Sequence, residues 1–194
     1  MSAAPETRRM PRVERREQIL DAATRAFARA GFSATNLDDV AAEAGITRVL
    51  LYRHFDSKTD MYRAVLERAC TRLKDSAGDD DYDERSIPAL LRAATADPDG
   101  FRLLFHHAAR EPEFRDLVDT IVEDGVRTAL RHIADLIPNP AWAKWAARML
   151  HTVTIEAVIA WLDEGSPDPD DAADRIGLVV HGVLQAAGPA ARES

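Results

Sequence analysis

Apolar residues recur at helical spacing along most of the 194-residue chain, and no segment alternates in the manner of a β-strand or a hairpin. A first helix is predicted from about Val13 to Ala30, and Gly31 ends it. A further helix is predicted to start after Ser57, which is a suitable N-cap, and to run to about Ala77. The pattern therefore predicts an all-α fold.

Two short amphipathic helices meet at a glycine between residues 36 and 55. Thr35 or Asn36 caps the first of them. Gly45 supplies a left-handed corner, Thr47 is a ready N-cap for the second helix, and that helix runs from about Arg48 to His54. This spacing predicts a helix-turn-helix whose outward residues face a DNA major groove. Those outward residues are Arg48, Val49, Tyr52 and Arg53, whereas Leu51 and Phe55 point inward.

An acidic run at residues 78–86 separates two parts of the chain, because glycine followed by clustered acids cannot pack. Beyond it, Pro98, Pro140 and Pro169 each follow an Asp or Asn, which marks an N-cap and a first turn. We expect helices near 87–96, 98–109, 112–136, 140–163 and 169–187. The predicted domains are a flexible basic arm at 1–12, a helix-turn-helix domain at 13–57, a connecting helix at 58–77 and a larger helical domain at 87–188.

The last two predicted helices carry apolar residues on more than one face, unlike the helix at 112–136, which has a single apolar stripe. Such a helix must be covered on more than one face. In a chain of this size a second subunit is a natural cover. The pattern therefore favours contact between these two helices and a partner subunit.

The formal charge of −8 conceals two oppositely charged parts. Residues 1–74 carry a net charge of +4, and residues 75–194 carry −12. A basic part that also holds the helix-turn-helix favours double-stranded DNA as its partner. The basic cluster near the N-terminus either contacts phosphate or the minor groove, or is only a solubilising tail. Its members are Arg8, Arg9, Arg12, Arg15 and Arg16.

Cys70 is the single cysteine, so no internal disulfide can form, which fits a reducing cytoplasm. No uncharged apolar run approaches the roughly 20 residues that a membrane helix needs. The Arg-rich N-terminus lacks the apolar segment of a signal peptide. We expect a cytoplasmic protein without a membrane partner.

Residues 14–62 resemble the DNA-binding domain of the tetracycline-repressor (TetR/AcrR) family. The matching segments are REQILDAATRAFARAGF, ATNLDDVAAEAGITRVLLYRHF and DSKTDMYRAV, and the specific part is the LYxHFxxK run that ends at Lys58. The resemblance implies a three-helix DNA-binding domain followed by a larger helical domain for ligand binding and dimerisation. It also implies a homodimeric, ligand-responsive transcriptional regulator, usually a repressor, whose dimer is a four-helix bundle of the last two helices.

Carried over by position, the resemblance implies that Lys58 reaches a phosphate and that Asn36 supports the register through phosphate. Arg48 is the best candidate for reading a base, because its forked donors fit the two acceptors of guanine. Tyr52 and His54 would also touch DNA. The full set of expected DNA contacts is Asn36, Thr47, Arg48, Val49, Leu50, Tyr52, Arg53, His54 and Lys58.

Two positions depart from the family pattern. Leu50 stands where a threonine is common, so it either packs inward or reads a thymine methyl group. Asp38 stands where the family often has a polar or basic residue, and an acid facing phosphate would be unfavourable. These departures leave the operator sequence open.

A second group of residues, in the larger domain, lines an effector pocket or is ordinary core. His106, His107 and His151 invite a metal interpretation, but adjacent histidines point to different helix faces, so no metal or cofactor is predicted. Cys70 is a redox sensor or, more simply, a packed thiol. The candidate pocket residues are Phe101, Leu104, Phe105, His107, Phe114, Trp142, Trp145, Met149, Glu156 and Trp161.

The sequence thus predicts a DNA-binding transcriptional regulator, released from its operator by an unknown small molecule. The alternative is an activator or an architectural protein without an effector. An enzyme is not expected, because the chain has no nucleophile elbow, no phosphate loop, no His-Glu-x-x-His motif and no paired cysteines.

Overall fold

The structure, a computed structural model, describes residues 10–77 and 85–188. Within those ranges all regular structure is helical, which confirms the predicted fold class. Residues 1–9 of the predicted basic arm and residues 78–84 of the acidic run lie outside the described residues. The α-helices are α1 (Arg12–Ala34), α2 (Leu37–Glu43), α3 (Arg48–Tyr52), α4 (Lys58–Ala77), α5 (Ser86–Ala96), α6 (Pro98–Arg102), α7 (Arg115–Ile133), α8 (Pro140–Asp163) and α9 (Pro169–Ala187).

Internal contacts divide the chain into two units, one ending at Val65 and the other beginning at Leu66. The division falls inside α4. The functional domain boundaries expected from the acidic run stay predictions.

The first unit is built on the buried face of α1, which packs against α2. Phe27 is fully buried, and its ring meets that of Tyr62 edge to face with 4.8 Å between centroids. Phe32 closes the same aromatic group at 5.0 Å from Tyr62. Leu51 of α3 and Phe55 are also buried, as the sequence predicts.

The first run of helical residues in α1 ends at Gly31, as the sequence predicts, because φ is +77° and ψ is 167° there. A further helical turn follows beyond this kink and ends at Ala34. The Gly31 carbonyl remains satisfied, because it accepts hydrogen bonds from the Thr35 backbone N–H and from the Thr35 hydroxyl at 2.7 Å. Thr35 is buried, and its two hydrogen bonds therefore stabilise this turn.

The second unit has α8 packed against α7, α9 and α5. The expected N-caps are confirmed, because Asp97, Asn139 and Asp168 each accept hydrogen bonds from backbone N–H groups in the first turn of α6, α8 and α9. Two apolar clusters hold the unit together. One joins α5, α6, α8 and α9 around residues such as Leu91, Val158 and Ile176, and the other joins α7, α8 and α9 around Ala129, Ala146 and Ala187.

The predicted helix at 98–109 is wrong in its detail. The α-helix ends at Arg102, a π-helical segment follows at Leu103–His107, and short 3₁₀ turns follow at Ala108–Arg110 and Pro112–Phe114. The next α-helix therefore begins at Arg115 and ends at Ile133, inside the predicted range of 112–136. In the described part of the chain, no helix has the length and apolar character needed to cross a membrane.

Candidate nucleic-acid interface

The corner between α2 and α3 is formed by Gly45, whose φ of +65° lies in the left-handed region. The Ile46 N–H donates to the Ala41 carbonyl at 2.9 Å, which satisfies a group at the end of α2. From α1, the side-chain amide of Gln18 donates to the Ala44 carbonyl at 2.8 Å. One backbone hydrogen bond thus stabilises the turn internally, and the Gln18 side chain links it to α1.

Asn36 is the N-cap of α2. Its side-chain oxygen accepts from the Asp39 N–H at 2.9 Å, and the Asp39 carboxylate accepts from the Asn36 N–H at 3.4 Å. This reciprocal capping box satisfies two backbone donors at the start of the helix. Thr47 caps α3 in a simpler way, with its hydroxyl accepting from the Leu50 N–H at 3.3 Å.

The five-residue helix α3 presents its polar and apolar faces as the sequence predicts, although it ends at Tyr52 and not at His54. Leu51 is fully buried, whereas Val49 is 68% exposed. Thr47, Arg48, Tyr52 and Arg53 are exposed as well. Leu50 is half-buried, so part of it packs inward and part stays accessible to a thymine methyl group.

Arg48 has two partners in the first unit. Its Nη1 atom lies 2.8 Å from Oδ2 of Asp38, and its Nη2 atom donates to the Tyr52 hydroxyl at 3.3 Å. The guanidinium carbon also lies 5.6 Å from the centre of the Tyr52 ring. The hydrogen bond with Tyr52 and the attraction of Asp38 raise the pKa of Arg48 further above its ordinary value. Asp38, which the sequence singled out as an awkward acid, is therefore the partner of the expected base-reading residue.

Lys58 contacts backbone carbonyl groups, which the resemblance did not imply. Its Nζ atom donates to the carbonyls of Phe32 at 2.8 Å, Thr35 at 3.0 Å and Ser33 at 3.3 Å. The ammonium also lies 4.5 Å from the centre of the Phe32 ring. Because an ammonium has three N–H donors, these carbonyls use all of them. The Lys58 ammonium therefore has a structural role at the end of α1, and the phosphate contact that the resemblance implies stays a prediction.

His54 follows α3 beside the basic start of α1. Its Nδ1 atom is buried without a hydrogen-bond partner in the described part of the chain. Burial, and then the positive charges of Arg12, Arg16 and Arg15, lower the pKa of His54. The guanidinium of Arg12 reaches the Arg53 carbonyl at 3.5 Å, so the basic start of α1 adjoins the end of α3.

Sequence matches to known proteins decide the family of this chain. Residues 19–65 match the family model described as "Bacterial regulatory proteins, tetR family". The HTH-type transcriptional activator FasR of Mycolicibacterium smegmatis is 30% identical over 179 residues, which cover 85% of this chain and 80% of that protein. The chain belongs to the tetR family.

Two further relatives extend the match. The HTH-type transcriptional repressor SCO4008 of Streptomyces coelicolor is 32% identical over 149 residues, 66% of this chain and 76% of that protein. A TetR-like regulator from Rhodococcus sp. RHA1 has the same fold, with a TM-score of 0.77 at 20% identity over 91% of this chain and 97% of the other. This tetR-family member is thus a DNA-binding transcriptional regulator with a helix-turn-helix unit and a helical second unit.

The candidate pocket residues of this tetR-family regulator do not share one environment. Trp142 and Trp145 lie at the start of α8, 52% and 40% exposed, and stack edge to face. Glu156 is exposed too, and the indole N–H of Trp161 donates to the Pro167 carbonyl. These residues are not parts of a common interior wall.

The remaining candidates lie closer to the π-helical segment. Phe101 and Phe105 have ring centroids 4.9 Å apart, and Phe105 lies 6.3 Å from the His151 ring. Burial lowers the pKa of His151 and of His107. The described residues include no group of three His, Cys, Asp or Glu side chains placed to hold a metal ion. Leu104 and Phe114 are buried, and Met149 is half-buried.

Sequence reasoning missed the partners of the charged residues at the interface. The pair of Asp38 with Arg48 spans ten positions, and Lys58 meets carbonyls that lie 23 to 26 positions earlier. The only available signal was that Asp38 departs from the family pattern.

Proposed function

We propose that this tetR-family regulator is a homodimeric, sequence-specific repressor that leaves its operator when a small molecule binds its second unit. Regulators of this family bind operator DNA, act as dimers and bind small-molecule effectors. The observation that supports DNA reading by this chain is the outward face of α3. There a capped, anchored helix exposes Arg48, Val49 and Tyr52.

Arg48 is the proposed base reader. A guanidinium donates in parallel to the two acceptors of guanine in the major groove, which is worth roughly 1–3 kcal/mol of discrimination. Val49 and the accessible part of Leu50 offer apolar surface to a thymine methyl group. Specificity would come from these three side chains.

Phosphate contacts would set the position of α3 on the duplex without carrying sequence information. The proposed contributors are Asn36 at the start of α2, Thr47, Tyr52, Arg53 and His54. The arginines at the start of α1 add positive charge on the same side as the end of α3. Lys58 is left out, because its donors are used within the first unit.

We also propose that α8 and α9 form the dimer interface. On α9, Leu178 is 72% exposed and Val179 is half exposed, an apolar surface that a second copy would cover. A dimer presents its recognition helices about 34–36 Å apart, or at a multiple of that spacing, to match the turns of DNA. An effector that prefers a different spacing would shift the equilibrium by its difference in affinity for the two states.

The dimer proposal is tested with Leu178→Asp. A charge at an exposed position costs the monomer little but is unfavourable in an apolar interface. Sedimentation velocity should show a dimer for the wild type and a monomer for the variant, with unchanged helical circular dichroism. A wild-type monomer at micromolar concentration would contradict the proposal.

The proposed effector site is the aromatic group Phe101, Phe105 and His151 beside the π-helical segment. π-Helical turns occur frequently at functional sites. A panel of small aromatic and cationic compounds would be screened by thermal shift, and Phe105→Ala should abolish the shift of any hit. A hit that also releases DNA would support the repressor mechanism.

An activator is the second candidate, because a relative that matches most of this chain is named a transcriptional activator. Sequence selection with the purified protein, followed by mapping of the selected sites in the genome of its source, distinguishes the two. Sites that overlap promoters support repression, and sites upstream of them support activation. Selection without any consensus would indicate an architectural protein.

A further inference from the structure

The ion pair between Asp38 and Arg48 joins the two helices of the helix-turn-helix. The pair links the first turn of α2 to the first residue of α3, with 2.8 Å between Nη1 and Oδ2. Both side chains are exposed. An exposed ion pair contributes little to the stability of a fold. The presence of this ion pair on the outward face of α3, which is proposed to read DNA, therefore needs an explanation other than stability.

Helix capping does not supply that reason. Acidic residues are favoured in the first turn of a helix because they satisfy free N–H groups and interact with the helix dipole. In α2 the capping is done by Asp39, whose carboxylate accepts from the Asn36 N–H. The Asp38 carboxylate is instead bound by Arg48.

Asp38 and Tyr52 together restrict the guanidinium of Arg48. The guanidinium donates one hydrogen bond to Asp38 and one to the Tyr52 hydroxyl, and it lies over the Tyr52 ring. Arginine has five N–H donors in a rigid planar fork, so three are left for a base. A long, flexible side chain is thereby held in one direction before DNA arrives, which lowers the entropy lost on binding.

We propose that Asp38 is a positioning residue that fixes Arg48 for base reading, and thereby sets the sequence preference of the regulator at the expense of general affinity. The inference rests on the proposed role of Arg48. A carboxylate close to phosphates weakens binding to every duplex. Asp38 would nevertheless improve discrimination between the operator and other duplexes, because a guanidinium held in one position fits one base pair well and other base pairs poorly.

The test uses the full-length protein and the duplex most enriched from a random-sequence library, together with versions carrying single base-pair changes. Anisotropy titrations give the ratio of affinities for the enriched and the changed duplexes. Asp38→Ala should lower this ratio about three- to tenfold at the base pair that Arg48 reads. It should at the same time raise the affinity for unrelated duplexes.

Asp56→Ala is the control, since it removes another exposed acid from the same unit without touching Arg48. Its effect should be the same for all duplexes, and the ratio should not change. In an Arg48→Ala background, Asp38→Ala should no longer alter the ratio, because the residue that it positions is absent. This non-additivity separates positioning from a general charge effect.

The possible results distinguish failure of the proposed function from failure of the inference about Asp38. If the wild type selects no consensus, the proposed function fails together with the inference. If the wild type discriminates and Asp38→Ala discriminates equally well while binding all duplexes more tightly, Asp38 only repels phosphate and the inference alone is overturned. A lowered ratio that persists in the Arg48→Ala background also overturns it, because Asp38 would then act independently.

Discussion

Positive residues of the first unit differ in what their N–H donors already contact. The Lys58 ammonium is bound to three carbonyls, so its donors serve the fold. Arg48 keeps donors for a base, although Asp38 and Tyr52 hold it. Arg53 is exposed at the end of α3. Loss of each should therefore produce a different kind of defect.

Arg48→Ala should relax operator choice. It removes a contact worth roughly 1–3 kcal/mol of discrimination, so the loss should be confined to one base pair in each half-site. Arg53→Ala, at the opposite end of α3, should weaken binding to all duplexes and reduce its dependence on salt. Anisotropy titrations at several salt concentrations measure both effects. Equal losses on every sequence for both variants would contradict this division.

Lys58→Ala should destabilise the first unit. It leaves carbonyls of the Phe32–Thr35 segment without their donor, which costs about 1–3 kcal/mol where they are shielded from water. Lys74→Ala, also on α4 and exposed, is the control. Urea denaturation should show a lower free energy of unfolding only for Lys58→Ala. A stable Lys58→Ala variant whose DNA binding has a flatter salt dependence would restore the phosphate role.

The structural role of a residue was predictable where that role depends on the local sequence pattern. Gly45, Thr47 and Leu51 take the corner, the cap and the buried position that their spacing indicates. The partners of Asp38 and Lys58 were not predictable, because they depend on how separate helices approach. Charge alone does not tell whether a donor is free or occupied.

At the scale of helices, two glycines inside helices have the same unfavourable helix propensity, but one is closely packed and the other faces open space. Gly125 lies in α7 and Gly177 lies in α9, and glycine inside a helix is roughly 1 kcal/mol less favourable than alanine. A Cβ atom at Gly125 would be only 2.6 Å from Nδ1 of His151, whereas one at Gly177 would meet nothing within 4 Å. Close helix packing explains the first glycine, and nothing in the structure explains the second.

Gly177→Ala should therefore raise the melting temperature, and Gly125→Ala should lower it. The gain is about 0.5–1 kcal/mol from helix propensity. The loss follows because the His151 ring must move away from α7, and overpacking typically costs about 1–3 kcal/mol. Differential scanning calorimetry of both variants provides the comparison. A raised melting temperature for Gly125→Ala would show that packing there is loose, and a lowered one for Gly177→Ala would contradict the open surroundings of that glycine.

Helix starts were easier to predict than helix interiors. Asp97, Asn139 and Asp168 cap as expected, since a cap depends on neighbouring residues alone. The widening to a π-helix at Leu103–His107 was missed. The π-helical segment has only five residues, too few for its wider period to appear in an apolar pattern.

At the scale of the whole molecule, half-buried histidines occur in both units. Burial is the main cause that lowers the pKa of His54 in the first unit, and of His107 and His151 in the second. Each of these side chains is thus kept neutral in the folded chain at a pH where the unfolded chain starts to take up protons. Stability should consequently depend on pH.

The free energy of unfolding should fall as the pH is lowered from 7.5 to 5.5. The unfolded histidines titrate near 6.5, so below that pH the unfolded state binds more protons than the folded state. The loss is complete once the pH lies below the lowered pKa values of the folded chain. Urea denaturation at several pH values measures the slope, which His151→Gln should reduce. A flat profile over this range would contradict the role of burial.

The all-α architecture was largely predictable, because helical periodicity runs along most of the chain and residues 14–62 carry the family resemblance. The placement of Trp142 and Trp145 was not. Their large apolar side chains suggested a pocket wall, but both are exposed at the start of α8. Apolar character alone does not distinguish an interior surface from one that awaits a partner.

The brevity of α3 has a consequence for how new binding preferences arise. Five residues are too few to be helical by themselves, so α3 owes its shape to the Thr47 cap, to buried Leu51 and to the corner at Gly45. Val49 contributes almost nothing to that support. Natural variation, or a designed library, can therefore rewrite such positions and retarget the protein to other genes without disturbing its scaffold.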